Sequence, residues 1–154
     1  MSEETGIFAR ESDYLDRYVQ FGEAQGRVIS VSFPADPPAD AGADHPLLDR
    51  IDAYLEGASD DFADVTVALT VPTDQRSVLE AVREIPYGEN ADCRQLTRMA
   101  GLDPDDEADR RLVRQALAEN PAPLLIPDHR VRDGPSGAPA AVEQRLRSLE
   151  NLSR

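Results

Sequence analysis

The sequence predicts an α/β N-terminal subdomain followed by a mainly α C-terminal domain containing a helix-turn-helix pair. Three observations predict it. Residues 5–33 and 65–71 hold alternating residues of strand type, with one amphipathic helical pattern between them. From residue 73 the apolar spacing changes to the 3.6-residue period, in segments separated by short Gly, Pro and Asp connections. The charge balance changes nearby: residues 1–80 carry 5 Arg against 17 acids, and residues 81–154 carry 11 Arg against 13. Both changes fall near residues 72–80, where the pattern puts the domain boundary.

The elements follow in order. The stretch 5–33 reads as strands with turns, broken at Gly26. Val28, Ser30 and Ser32 alternate with Ile29, Val31 and Phe33, although the polar alternation is imperfect. Residues 34–44 are rich in Pro, Ala and Asp and read as a solvated loop. A helix then starts with Asp44 as cap and Pro46 in the first turn, where the missing N–H has no intrahelical partner to lose. Its buried face is Leu47, Leu48, Ile51, Tyr54 and Leu55, and Gly57 ends it. Val65, Val67, Leu69 and Val71 form a further strand closed by Pro72.

Thr73 caps the next helix, whose apolar face is Val78, Leu79 and Val82, and Ile85-Pro86-Tyr87-Gly88 makes a turn. Asp92 opens a short helix, with Gln95 at capping-box spacing. Leu96 and Met99 form its buried stripe and Gly101 terminates it. Asp103-Pro104 starts the following helix, whose early acids suit the positive end of the helix dipole. Leu112, Val113, Ala116 and Leu117 are its apolar face, and Pro121 and Pro123 stop it. Two such helices with a short connection make the unit that often presents one helix to DNA. A last helix spans about 139–150, with Val142, Leu146 and Leu149 on one face.

Composition narrows the function classes. No run reaches the roughly 18 apolar residues of a membrane span, and no basic segment precedes an apolar one as in a signal peptide. A cytoplasmic, non-membrane protein is expected, with a monomer as the default. The single cysteine, Cys93, excludes an internal disulfide and a multi-cysteine metal site; no metal or cofactor is expected. All 16 basic residues are arginine, against 30 acids, for a net charge of −14. Acidity of this kind on a patterned globular chain suggests a halophilic protein. At molar salt the Debye length falls to about 3 Å, and the same salt removes most of the counterion-release drive for DNA binding. Contact-range hydrogen bonds and inserted side chains would have to supply the affinity.

The densest motif is Ile126-Pro127-Asp128-His129-Arg130. It resembles the active-site signature of the O6-alkylguanine-DNA alkyltransferases, in which Pro-Cys-His-Arg carries the cysteine that accepts the alkyl group. Other segments match in register: Val78 through Glu89, Gln95-Leu96 through Ala100-Gly101, Asn120-Pro121, Leu124-Leu125-Ile126-Pro127 and His129-Arg130-Val131. Upstream, His45-Pro46-Leu47-Leu48 and Asp49 through Gly57 are similar to the helix of the family's smaller domain. The resemblance implies a ribonuclease H-like α/β subdomain over 1–72 and a winged-helix-like DNA-binding domain over 73–154. It also implies that Arg111 is the arginine finger that replaces a flipped-out nucleotide, on a helix lying in the minor groove. His129 and Glu150 match the base and its supporting acid. Arg114, Gln115, Asn120 and Arg130 join Arg111 as candidate DNA-binding residues.

The departures set the functional choice. Asp128 stands in the acceptor position, and a carboxylate is a much weaker nucleophile toward carbon than a thiolate. Cys93 stands where the family has the tyrosine that helps swing the phosphate. Leu112, Val113, Arg114 and Gln115 replace the small residues after the finger, and Gly134-Pro135-Ser136-Gly137-Ala138-Pro139 replaces the glycine-rich pocket loop. The expectation is a degenerate Asp128–His129–Glu150 site in a DNA-repair protein. It would recognise alkylated bases such as O6-alkylguanine in double-stranded DNA, without transferase activity, and hand them to a repair partner. The alternative is a divergent winged-helix module binding DNA or protein without lesion specificity. Two chemical variants are ester formation on Asp128 and alkyl transfer to Cys93. The plain reading of His129 and Arg130 is a structural network, since buried polar groups need partners whether or not they catalyse. His45, beside a helix start, reads as structural.

Overall fold

The computed structural model describes residues 5–152. An antiparallel sheet runs in the order β1 (Thr5–Ser12), β2 (Arg17–Ala24), β3 (Arg27–Ser32). Gln25 and Gly26 both take positive φ, 55° and 77°, making the two-residue turn whose twist suits a hairpin. Between the pairs Gly22–Ser30 and Glu23–Val28, β3 carries one extra residue, Ile29. This bulge reverses the inward phase, so Val28 and Val31 are both buried while Ile29 is exposed. The imperfect alternation read from the sequence has this cause.

Five helices follow: α1 (Pro46–Leu55), α2 (Thr73–Val82), α3 (Cys93–Met99), α4 (Glu107–Ala118) and α5 (Ala140–Leu149). All five apolar residues assigned to the inner face of α1 are buried. Its cap is His45 rather than Asp44: the His45 Nδ1 accepts from the Leu47 N–H at 3.0 Å, while Nε2 meets Glu23 at 3.0 Å. The imidazole also packs against Phe8 and Phe21, which leaves His45 a structural residue. Similarly, Pro72 rather than Thr73 occupies the N-cap of α2.

Three further expectations are corrected. Residues 65–71 do not form a strand; only the isolated bridge Val28–Val67 is made there. The outer edge of β3 is divided between two segments, Val28 bonding Thr66 and Ala68 while the Val31 N–H bonds Pro121 O. Neither segment has enough edge for a ladder. α4 starts at Glu107, not after Asp103, because Asp106 caps it and Asp103–Asp106 closes a separate turn. Met99 is 42% exposed. On a helix advancing roughly 100° per residue, the buried direction of α3 lies between Leu96 and Thr97, and Met99 points well away from it. The Asp92–Gln95 capping box is present in both directions.

α2, α3 and α4 pack against one another, and α1 lies against β1. One contiguous apolar core joins Phe21 and Val31 of the sheet, Ile51 of α1, Leu79 of α2, Leu117 of α4 and Leu146 of α5. Among the described residues no helix is long and apolar enough to cross a membrane.

Candidate nucleic-acid interface and acceptor site

The chain leaves α4 at Glu119 and turns inward. Asn120 and the run Ala122–Val131 are buried. The run is apolar up to Pro127 and then places three polar side chains inside the molecule. Leu124 holds φ at 84°, a left-handed conformation uncommon for a branched residue, in the turn between two prolines of this segment. Asp128–Arg130 form a 3₁₀ turn, pinned to the loop before α3 by Ala91 N–H to Arg130 O and Arg132 N–H to Ala91 O, both 2.9 Å.

Asp128 is 1% exposed. Its Oδ1 accepts from the Ser136 hydroxyl at 2.7 Å; its Oδ2 accepts from the Asn120 amide at 2.9 Å and the Gly137 N–H at 2.8 Å. Burial pushes this carboxyl above its ordinary range, against the pull of the Gly137, Ser136 and Asn120 hydrogen bonds and the His129 charge. Asn120 also donates to Ile126 O at 3.0 Å and accepts from Ala122 N–H at 3.0 Å. A methyl group on Gly137 would drive into the Asn120 carbonyl oxygen. Backbone on both sides leaves nothing flexible to yield. Gly137→Ala is therefore expected to destabilise the protein by about 1–3 kcal/mol through overpacking, read as a lower urea midpoint; an unchanged midpoint would show that the loop relaxes freely.

Beside Asp128 a second knot centres on Glu150, just after α5. Its carboxylate accepts from the Tyr54 hydroxyl, from His129 Nε2 at 2.7 Å, from Arg130 Nε and Nη2 at 2.8 and 3.1 Å, and from the Gly88 N–H at 3.1 Å. Burial alone would raise the Glu150 pKa; the hydrogen bonds from His129 and Arg130 outweigh it and hold the group at about 2. Burial first, then the Glu150 charge, raises the Tyr54 phenol. Arg130 also donates to Ile85 O at 2.7 Å and Asp61 at 3.2 Å and lies over the Tyr87 ring. Its remaining exposure is 2%. His129 Nδ1 is buried with no protein partner.

The structure brings Asp128, His129, Asn120, Arg130 and Glu150 together inside the protein. Arg111, Arg114 and Gln115 lie outside on α4. Arg111 makes one contact, Nη2 to Glu107 at 3.3 Å, and both side chains are over 70% exposed. Such an i,i+4 pair contributes a few tenths of a kcal/mol and leaves the guanidinium available. Gln115 reaches Glu119 at 3.4 Å. Asn120 and Arg130, expected as DNA contacts, are both buried and hydrogen-bonded to neighbours: Asn120 to Asp128 and Ile126 O, Arg130 to Glu150. Nor does Asp128 line any of the five cavities described.

Sequence reasoning missed Ser136 and Gly137 as partners of Asp128, and Tyr54, Gly88 and Asp61 as partners of the second knot. A phenol on an otherwise apolar helix face was the one available signal for Tyr54. Cys93 is half-buried, and burial followed by contact with Asp133 pushes its thiol up to about 12. A thiol so disposed is a poor acceptor of alkyl groups. Among the described residues no cluster of His, Cys, Asp and Glu is arranged to hold a metal ion.

Comparison with known proteins places the geometry in context. Residues 73–150 match the family model for the DNA binding domain of 6-O-methylguanine DNA methyltransferase. A methylated-DNA–protein-cysteine methyltransferase of Methanopyrus kandleri is 34% identical over 128 residues, covering 80% of this chain and 93% of that protein. A DNA base-flipping protein of Thermus thermophilus is 34% identical over 106 residues, 68% of each chain. The fold matches the Mycobacterium tuberculosis OGT solved in complex with DNA, at a TM-score of 0.70 and 20% identity, over 94% of this chain and 90% of that one.

Proposed function

Since the chain belongs to the 6-O-methylguanine DNA methyltransferase family, we propose that it is a DNA-binding protein of alkylation repair that recognises the altered base without transferring its alkyl group. The observation that carries the reading is the enclosed Asp128 carboxylate. The acceptor position holds an oxygen acid saturated by three hydrogen-bond donors, with burial favouring its protonated, still less nucleophilic form. The apparatus behind it, His129 held by Glu150, is retained with no thiol to deprotonate. The base-flipping relative from Thermus thermophilus supports a recognition role, and the DNA complex of the M. tuberculosis neighbour supports DNA as the partner, which we take to be double-stranded.

In this reading residues 73–154 form the winged-helix-like DNA-binding domain and 1–72 the smaller subdomain. α4 enters the minor groove, Arg111 fills the space of the extruded nucleotide, and Arg114 and Gln115 make polar contacts. The protein works as a monomer in a salt-rich cytoplasm and passes the marked site to a repair partner.

Gel shifts with O6-methylguanine and unmodified duplexes at several KCl concentrations test this. Tighter binding to the methylated duplex is expected, with the mass of the protein unchanged after incubation. Equal binding of the two duplexes ends the recognition reading, and an added alkyl mass on Asp128 or Cys93 ends the non-enzymatic one. Arg111→Ala is expected to bring the two affinities together. One observation favours the second reading, a winged-helix module without lesion specificity: Asp128 is 1% exposed and covered by Asn120, Ser136 and Gly137, which leaves no open pocket at the acceptor position. Under that reading Arg111→Ala leaves partner preference unchanged.

A further inference from the structure

We infer that the cavity between α3 and α4 binds phosphate oxygens through Arg94, Arg110 and Arg114, and anchors one phosphodiester of the DNA backbone. This rests on the DNA-binding reading above and assigns it a second contact, separate from Arg111. The cavity has a volume of about 120 Å³, lined by these three arginines with Cys93, Thr97 and Asp133. Guanidinium groups present paired N–H donors that match two oxygens of a phosphate.

The three arginines are available to different degrees. Arg114 has no hydrogen bond or ion pair among the described residues, in a chain with 30 acids against 16 cations. Arg110 donates Nη1 to Pro104 O at 3.1 Å and keeps its other N–H groups. Arg94 holds Asp105 at 3.1 Å through one contact in which both side chains are more than half exposed, and such a pair yields readily. Asp133, the one acid in the lining, accepts the Cys93 N–H at 2.7 Å; its remaining negative charge is set against three guanidinium groups. Arg110 and Arg114 stand one turn apart on one face of α4; Arg111 is turned roughly 100° from Arg110 and roughly 60° from Arg114. Arg111 and Arg114 are therefore neighbours on the outer side of the helix, set to touch adjacent parts of one duplex. Two departures noted in the sequence, a small side chain at 93 and a long cation at 114, both line this cavity.

The test compares the parent with Arg114→Ala and Arg114→Lys, on methylated and unmodified duplexes across a salt series. Arg114→Ala is expected to weaken both duplexes alike and to flatten the slope of log affinity against log salt by about 0.9, the loss of one phosphate contact. Arg114→Lys is expected to restore the slope without the full affinity. A second arm adds inorganic phosphate to DNA-free protein and follows the arginine Nε–H resonances. If Arg114→Ala leaves slope and affinity unchanged while the parent still prefers methylated DNA, the anchor is overturned and the recognition reading stands. Resonance shifts with inorganic phosphate alongside that unchanged slope would assign the cavity to free phosphate and likewise overturn the anchor. A parent that binds neither duplex removes the DNA reading and the anchor together.

Discussion

Replacing Glu150 by Ala is expected to lower the free energy of unfolding by about 3–5 kcal/mol, the range for stripping one partner from a buried charge pair. Arg130 would be left inside the protein with Ile85 O and the more distant Asp61, and the Tyr54 hydroxyl, His129 Nε2 and Gly88 N–H would lose their shared acceptor. The loss also crosses the molecule, since Tyr54 belongs to α1 and Arg130 to the turn after α4. Glu150→Gln keeps the shape and an acceptor oxygen, so a smaller loss of about 1.5–3 kcal/mol is expected from weakened charged hydrogen bonds. Urea unfolding at fixed salt measures both; a Glu150→Ala variant within 1 kcal/mol of the parent would remove this knot as the anchor.

The same group sets an acid limit. Its folded pKa lies at about 2, below the ordinary 4.5. A depressed carboxyl stabilises the fold fully above its unfolded pKa and loses that contribution as pH falls toward the folded value. The window is therefore pH 4.5 down to about 2, and the size is about 3 kcal/mol. The Glu150→Gln variant should flatten the stability profile within that window.

Asp128→Asn is expected to act in the opposite direction, raising stability at neutral pH, because the amide carries no charge to desolvate. The folded state raises the Asp128 pKa, chiefly through burial. It therefore binds more protons than the unfolded chain just above the ordinary carboxyl pKa, and stability declines as pH rises through the raised value. Asparagine has no such decline. Its carbonyl can accept from Asn120 and Gly137, and its amide can donate to Ser136 Oγ, which has lone pairs to spare. Asp128→Ala is the contrast, because it orphans three donors and should destabilise. An Asn variant less stable than the parent at pH 7 would mean that the hydrogen bonds to the charged form outweigh burial.

The helices were legible because their apolar positions repeat at the helical period, and α1 was read with all five inward residues correct. The extra residue of β3 and the missing strand at 65–71 were not, since both depend on which segments compete for the β3 edge. Met99 was misassigned for the same kind of reason: α3 is short, and its neighbours choose the buried direction. At the site, the residue types at 128–130 stood in the sequence, but whether Asn120 and Arg130 face DNA or the interior depended on their tertiary surroundings.

By itself the chain order determined the covalent chemistry: an acid at 128 in place of a thiol, one cysteine, arginine as the sole cation, and the periodicities that make the helices. The tertiary structure decided what those groups face. It enclosed Asp128 between Asn120 and the 136–137 loop, gave Glu150 five donors from three segments, and left Arg111 and Arg114 on the outer side of α4. The reason is physical. Local sequence fixes backbone preference and side-chain type, whereas desolvation and hydrogen-bond partners come from residues as much as 96 positions apart, as with Tyr54 and Glu150.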